Sequence, residues 1–172
     1  MHLIVDGYNL LAAMGGQDRR NGTQLAAGRD GLLRDLSAYR HRKGHAVTVV
    51  FDGWQSGQPF EGREDRLGIQ IVYSKRGERA DQVIQRLAQE FGSDCAVVSS
   101  DREVTDYARG HGAFVMGALE FAGKLSSVPV RTIVHKELDR GDEPPRRGPE
   151  KRGNPRKLPK SARRRGRQLR RF

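Results

Sequence analysis

The chain has 172 residues, with 32 Lys+Arg against 21 Asp+Glu and a formal charge of +11. Its single cysteine, Cys95, excludes an internal disulfide framework and a multi-thiolate zinc site. No apolar run is long enough to span a membrane, and the start, MHLIVDGYNL, lacks the charged lead and long apolar stretch of a secretory signal. A reduced, cytoplasmic protein without membrane contact is expected.

Taken in chain order, short β-branched runs alternate with helix-like segments. Leu3–Val5 is a strand candidate, followed by Leu25, Leu32, Leu33, Leu36 and Tyr39 at helical spacing, with Thr23 as cap and Gly44 as stop. Val47–Phe51 and Ile69–Tyr73 are the next strands. Val83, Ile84, Leu87, Ala88 and Phe91 then form an apolar helix face closed by Gly92. Ala96–Val98 is a strand, Val104, Tyr107 and Ala108 mark a short helix ending near Gly110–Gly112, Ala113–Met116 is a strand, and Ala118–Leu125 a weaker helix. Each strand candidate is nearly continuously apolar, as strands buried on both faces are. The alternation predicts an α/β domain over residues 1–135 with a mainly parallel five-stranded sheet covered on both faces.

The remainder, 136–172, is predicted to be a flexible arm. Residues 144–172 hold 13 Lys+Arg and one acid, Glu150, with five of the seven prolines, whereas residues 1–143 hold 19 Lys+Arg and 20 Asp+Glu. Such a segment cannot bury enough apolar surface to offset its ordering entropy, so disorder is expected. An arginine-rich arm, here including Arg163, Arg164 and Arg165, neutralises phosphates and gives salt-dependent affinity for nucleic acid. A solubilising tail or a membrane-surface arm are the other uses, and the near absence of interleaved aromatic and long apolar residues disfavours the membrane.

Three strand candidates run into an aspartate: Asp6 after LIV, Asp52 after VTVVF and Asp101 after CAVVSS; a fourth, Asp81, opens a helix at the same end of the sheet. Each alone is explained by turn and cap preferences. Together they deliver four carboxylates to one rim, where function resides in open parallel sheets. Clustered carboxylates repel unless a cation sits among them, and Mg²⁺ or Mn²⁺ suits an all-oxygen donor set. A carboxylate-held metal beside a phosphate-binding arm points to phosphodiester hydrolysis.

The motifs VDGYN (5–9), VFDG (50–53), GERAD (77–81) and VSSDREV (98–104) resemble, in the same order, the NYN domain of the PIN-like nuclease superfamily, in particular its YacP-like bacterial ribonuclease branch; the likeness runs from Met1 to about Leu125. It implies a three-layer α/β fold, a divalent-metal pocket and RNA as substrate. By this resemblance Asp6, Asp81 and Asp101 are metal ligands, Asn9 is the polar partner that orients Asp6 or contacts phosphate, and Asp52 is a further, less secure ligand. Asp106 is an outer ligand or a plain surface acid. Where the family pattern often has two acids in succession this chain has Asp81-Gln82, which argues against a second metal.

Around the same rim, Lys75, Arg76 and Arg79 could hold the RNA backbone, Trp54 and Phe60 could stack unpaired bases, and Ser99 and Ser100 either bond phosphate or end the strand. His41 and His45 lack a third ligand for zinc, GALEFAGKL fails the phosphate-loop spacing, and Cys95 fits a core position. The expected function is a metal-dependent endoribonuclease acting on single-stranded RNA, with RNA or ribosome association through the tail. The alternatives are a non-catalytic RNA- or ribosome-binding protein on the same fold and a toxin-like nuclease held by a partner. Oligomeric state is open.

Overall fold

A computed structural model describes residues 1–15, 22–53 and 60–126. The chain runs β1 (His2–Asp6), α1 (Gly7–Ala13), α2 (Gly22–Lys43), β2 (Ala46–Phe51), β3 (Gly62–Arg66), β4 (Ile69–Tyr73), α3 (Ala80–Phe91), β5 (Cys95–Val98), α4 (Arg102–Gly110), β6 (Phe114–Met116) and α5 (Ala118–Ser126). One sheet holds all six strands in the order β3-β4-β2-β1-β5-β6. The five apolar runs are the parallel strands, with Leu3 beside Val47 and Ala96, and Val49 beside Ile71.

Because side chains alternate along a strand, the sheet builds two cores. On one face Ile4, Val50, Val72 and Val97 pack with Val83, Ile84 and Leu87 of α3 and Val104 and Ala108 of α4. On the other, Val5, Val49, Phe51 and Ile71 lie beneath α1, α2 and α5, whose Leu10, Leu32, Leu36, Tyr39 and Phe121 are all essentially inaccessible. Tyr39 and Phe121 meet edge-to-face at 5.2 Å, joining α2 to α5. This is the expected three-layer α/β arrangement.

The sheet has a sixth strand beyond the five expected. GREDR pairs antiparallel with β4, from Gly62 beside Tyr73 to Arg66 beside Ile69. An edge strand facing solvent needs no apolar run, and its charges discourage edge-to-edge association. The hairpin turns at Leu67 (φ 56°) and Gly68 (φ 74°), the two positive dihedrals of a tight hairpin, and is tied to α2 by Ser37 Oγ donating to Leu67 O at 2.8 Å and by Arg66–Asp30 at 2.7 Å. Helix α1 is also additional: seven residues carry too little period to be read, and Asp6 supplies its cap. Helix α2 already begins at Gly22, so Thr23 lies inside it rather than capping it, while Gly44 ends it as expected, at φ 69°. Tyr107 belongs to the surface, its ring stacked on His111 and its hydroxyl donating to Gln89.

The rejected signals have structural reasons. Cys95 is buried, its thiol directed to Gly92 O and pushed up to about 11 by burial and, secondarily, Asp94. GALEFAGKL forms α5, whose Phe121, Ala122 and Leu125 are core. Among the described residues no three His, Cys, Asp or Glu groups are arranged to hold a metal.

Two motif glycines permit close approach. A Cβ at Gly7 would lie 2.3 Å from the Phe51 ring, and one at Gly53 would lie 2.0 Å from Ser74 O. Gly7→Ala is therefore expected to lower stability by about 1–3 kcal/mol, the usual cost of overpacking, seen as a lower urea midpoint. An unchanged midpoint would mean that Phe51 relocates freely.

Candidate active site

Strand β1 is central, and the chain moves from it to β2 on one side and, after α3, to β5 on the other. The carboxyl ends of β1 and β5 thus form the switch point of the sheet, where a crevice opens. Asp6 ends β1 and is 7% exposed. Its Oδ1 accepts the Asn9 N–H at 3.1 Å, capping α1, and its Oδ2 accepts from Ser99 Oγ at 3.2 Å. Ser99 Oγ in turn accepts the Asp101 N–H at 3.1 Å, and Asn9 Oδ1 accepts the Ser100 N–H at 3.3 Å. The two strand ends are therefore stitched together by side chains from both.

Asp101 caps α4 through Oδ1, which accepts from Glu103 N at 2.7 Å and Val104 N at 3.4 Å. Asp52 does the same for the start of α3, its Oδ1 accepting the Ala80 N–H at 2.7 Å. Gln82 closes that helix start from within, its Oε1 accepting the Arg79 N–H at 3.1 Å. Gln82, standing where the motif resemblance implies a second acid, thus serves its own helix terminus.

These elements bring Asp6, Asp52, Asp81 and Asp101 to one cleft of about 280 Å³, lined also by Tyr8, Asn9 and Arg79. Burial, reinforced by the nearby Asp81 charge and opposed by the Asn9 N–H, pushes Asp6 up to about 6. Asp81 is raised too, first by burial and then by Asp101 and Asp52, against the opposing charge of Arg79, with which it forms an ion pair. The donors facing the cleft are oxygens, the chemistry of a hard divalent cation, which one or two carboxylates and retained waters commonly hold. They do not form a protein-only cage: Asp52 and Asp101 each commit an oxygen to a helix terminus, and no three-group ligand set exists among the described residues.

The other sequence candidates distribute unevenly. Arg79 lines the cleft. Lys75 and Arg76 are exposed on the turn before α3. Ser100 spends its hydroxyl on the Ala118 N–H at the start of α5. Asp106 is exposed and paired with Arg109 on its own helix, away from the lining. Trp54, Arg163, Arg164 and Arg165 lie outside the described residues. Sequence reading missed Tyr8 as a lining residue; its place at the second position of an unread helix left no period to find.

The elevated Asp6 has a consequence for stability. The folded state holds an extra proton between the unfolded value near 3.8 and the folded value near 6. Stability therefore falls as pH rises through that window, by at most about 3 kcal/mol at neutrality. Asn retains the capping oxygen without the charge. Asp6→Asn should raise the thermal midpoint in EDTA by about 3–8 °C near neutral pH and lose that advantage near pH 4. Scanning calorimetry at the two pH values reads this; an equal or lower midpoint at neutrality would contradict a buried, repelled carboxylate.

Comparison with known proteins gives a consistent picture. The YacP-like NYN domain family matches residues 3–165. The uncharacterized protein YacP of Bacillus subtilis (strain 168) is 27% identical over 134 residues, spanning 78% of this chain and 77% of that protein. Two crystal structures of Rae1 (YacP) from Bacillus subtilis, one of them a point mutant, superpose with TM-scores of 0.59 and 0.60 at 26% identity, covering 73% of this chain and 74% of theirs. The fold is of nuclease type, and the chain belongs to the YacP-like NYN domain family.

Proposed function

We propose that the protein is a metal-dependent endoribonuclease that cleaves single-stranded RNA in the cytoplasm, with its basic tail providing RNA or ribosome association. The observation that carries this reading is the delivery of four carboxylates by four separate elements to the switch-point cleft, with the buried Asp6 at its centre. Asp6, Asp81 and Asp101 are the residues that would share Mg²⁺ or Mn²⁺, one or two of them directly and the rest through retained waters, and the cation when bound would activate water and neutralise charge on the phosphate oxygens. Asp52 and Gln82 position Asp81 by fixing the start of α3. Ser99 and Asn9 hold the Asp6 and Asp101 elements in register. Lys75 and Arg76, exposed on the turn before α3, would meet the RNA backbone.

One observation favours the non-catalytic RNA-binding alternative. Arg79 already neutralises Asp81, occupying electrostatically the place a cation would take. Incubating purified protein with labelled single-stranded RNA, with Mn²⁺ or Mg²⁺ and with EDTA, separates the two. Internal cleavage that requires the metal supports the enzyme; tight binding with no cleavage in either metal supports the binding protein.

A further inference from the structure

A second cleft, larger than the acidic one at about 460 Å³, opens at the same rim on the α2 side of the sheet. Its lining combines Arg29 of α2, Phe60 before β3, Arg63 and Glu64 of β3, and Tyr73 and Ser74 at the end of β4. From these residues we infer that it is a nucleotide subsite, taking one unpaired base and its phosphate from the RNA strand that enters the acidic cleft.

The lining has the two components such a unit requires. Phe60 is 78% exposed, a large ring that the core does not use. Tyr73 is half-buried, stacked on Phe51 at 6.0 Å with planes 25° apart. Aromatic faces accept any base, because every base presents a π-face. Arg29 supplies the charge for a phosphate, while Arg63 shares the strand face of Val72 and reaches through Glu61 toward α3. Among the described residues Arg29 makes no ion pair; its guanidinium lies 6.0 Å from the Phe51 ring. Arg63 commits Nε to Glu61 at 2.8 Å, and its terminal nitrogens make no hydrogen bond among the described residues. Glu64 would repel a bare anion but can accept a hydrogen bond from a base, so the lining suits a nucleotide better than inorganic phosphate.

The groove is also anchored to the candidate active site. Arg86 of α3 pairs with both Glu78 and Glu61, and Glu61 pairs with Arg63, so the segment carrying Phe60 is tied to the helix that carries Asp81. Beneath the rim, Tyr8 of the acidic cleft meets Phe51 edge-on at 5.1 Å, and Phe51 meets Tyr73 of the groove. Two ring contacts thus separate the sites, which suits a base held beside the bond to be cut.

The inference rests on the ribonuclease reading for its kinetic test and is independent of it in a binding test. With the full chain, Phe60→Ala and Arg29→Gln should each raise KM for a short single-stranded RNA about tenfold, with kcat within about twofold, the effect of losing one stacked base or one phosphate contact. An abasic nucleotide scanned along the substrate should reproduce the penalty at one position and add nothing there to Phe60→Ala. Titrating adenosine monophosphate into ¹⁵N-labelled protein should shift the amides of Phe60, Gly62, Tyr73 and Ser74, and ribose 5-phosphate should shift them far less. Cleavage with unaltered KM in both variants, or nucleotide-induced shifts absent from these residues, overturns the subsite. Absence of cleavage by the unmodified protein in every metal overturns the nuclease reading instead and leaves the titration to decide the groove.

Discussion

Asp101→Asn should reduce metal-dependent cleavage of single-stranded RNA about a thousandfold or more while leaving RNA affinity unchanged or slightly higher. The size follows from removing one carboxylate from a cation site, since several kcal/mol of transition-state stabilisation depend on that cation and each 1.4 kcal/mol is tenfold in rate. The fold should survive, because Asp101 caps α4 through Oδ1 toward Glu103 N and Val104 N, and asparagine caps equally well. Affinity should hold or rise because an acidic cleft repels phosphates, and the substitution removes one of its charges. Asp101→Ala makes the useful contrast: it loses the cap as well and should cost a further ~1 kcal/mol of stability. Single-turnover cleavage and filter binding on the same preparations read both quantities. Asp101→Asn protein that still cleaves at a metal-dependent rate near that of the parent would remove Asp101 from the chemistry and with it the proposed site.

The way these residues meet explains which parts of the protein could be read from its sequence. The parallel strands were legible because a strand buried on both faces is nearly continuously apolar, and the runs around Ile4, Val49, Ile71, Val97 and Val115 are, with Thr48 and Gln70 the exceptions. The aspartates were legible because each follows such a run or opens a helix, so topology alone carries them to one rim. Strand β3 was not, since GREDR on an edge obeys no burial pattern. Partnerships were not legible either. That Asp52 would bond the start of α3, or that Gln82 would serve its own helix rather than the cleft, depends on where a chain end arrives in space. The second cleft is the extreme case. Arg29, Phe60 and Tyr73 come from three segments with no shared motif, and only the antiparallel pairing of Gly62 with Tyr73 and the packing of α2 on the sheet bring them together.

Removing residues 144–172 should weaken RNA binding by roughly two orders of magnitude at low salt and flatten its salt dependence, while slow cleavage persists at high RNA concentration. The deleted segment holds 13 cations and one acid; what is left has 19 Lys+Arg against 20 Asp+Glu. That remainder has no net attraction for a polyanion, and its cleft concentrates negative charge where the strand must pass. Long-range capture is therefore assigned to the tail and chemistry to the folded domain. If the tail neutralises about six phosphates, it contributes a slope of log affinity against log salt near −4, from about −0.7 per phosphate on single strands, so the full chain should show about −5 to −6. The truncated protein, left with Lys75, Arg76 and the proposed Arg29 groove, should show a slope of about −1 to −2. Fluorescence anisotropy across a potassium chloride series gives both slopes directly. Parallel slopes would place the phosphate contacts in the folded domain and leave the tail without a role in capture. A flattened slope with kcat preserved would separate capture from chemistry, because losing the thirteen cations of that segment would then change how often the strand arrives and not what the carboxylates do to it once there.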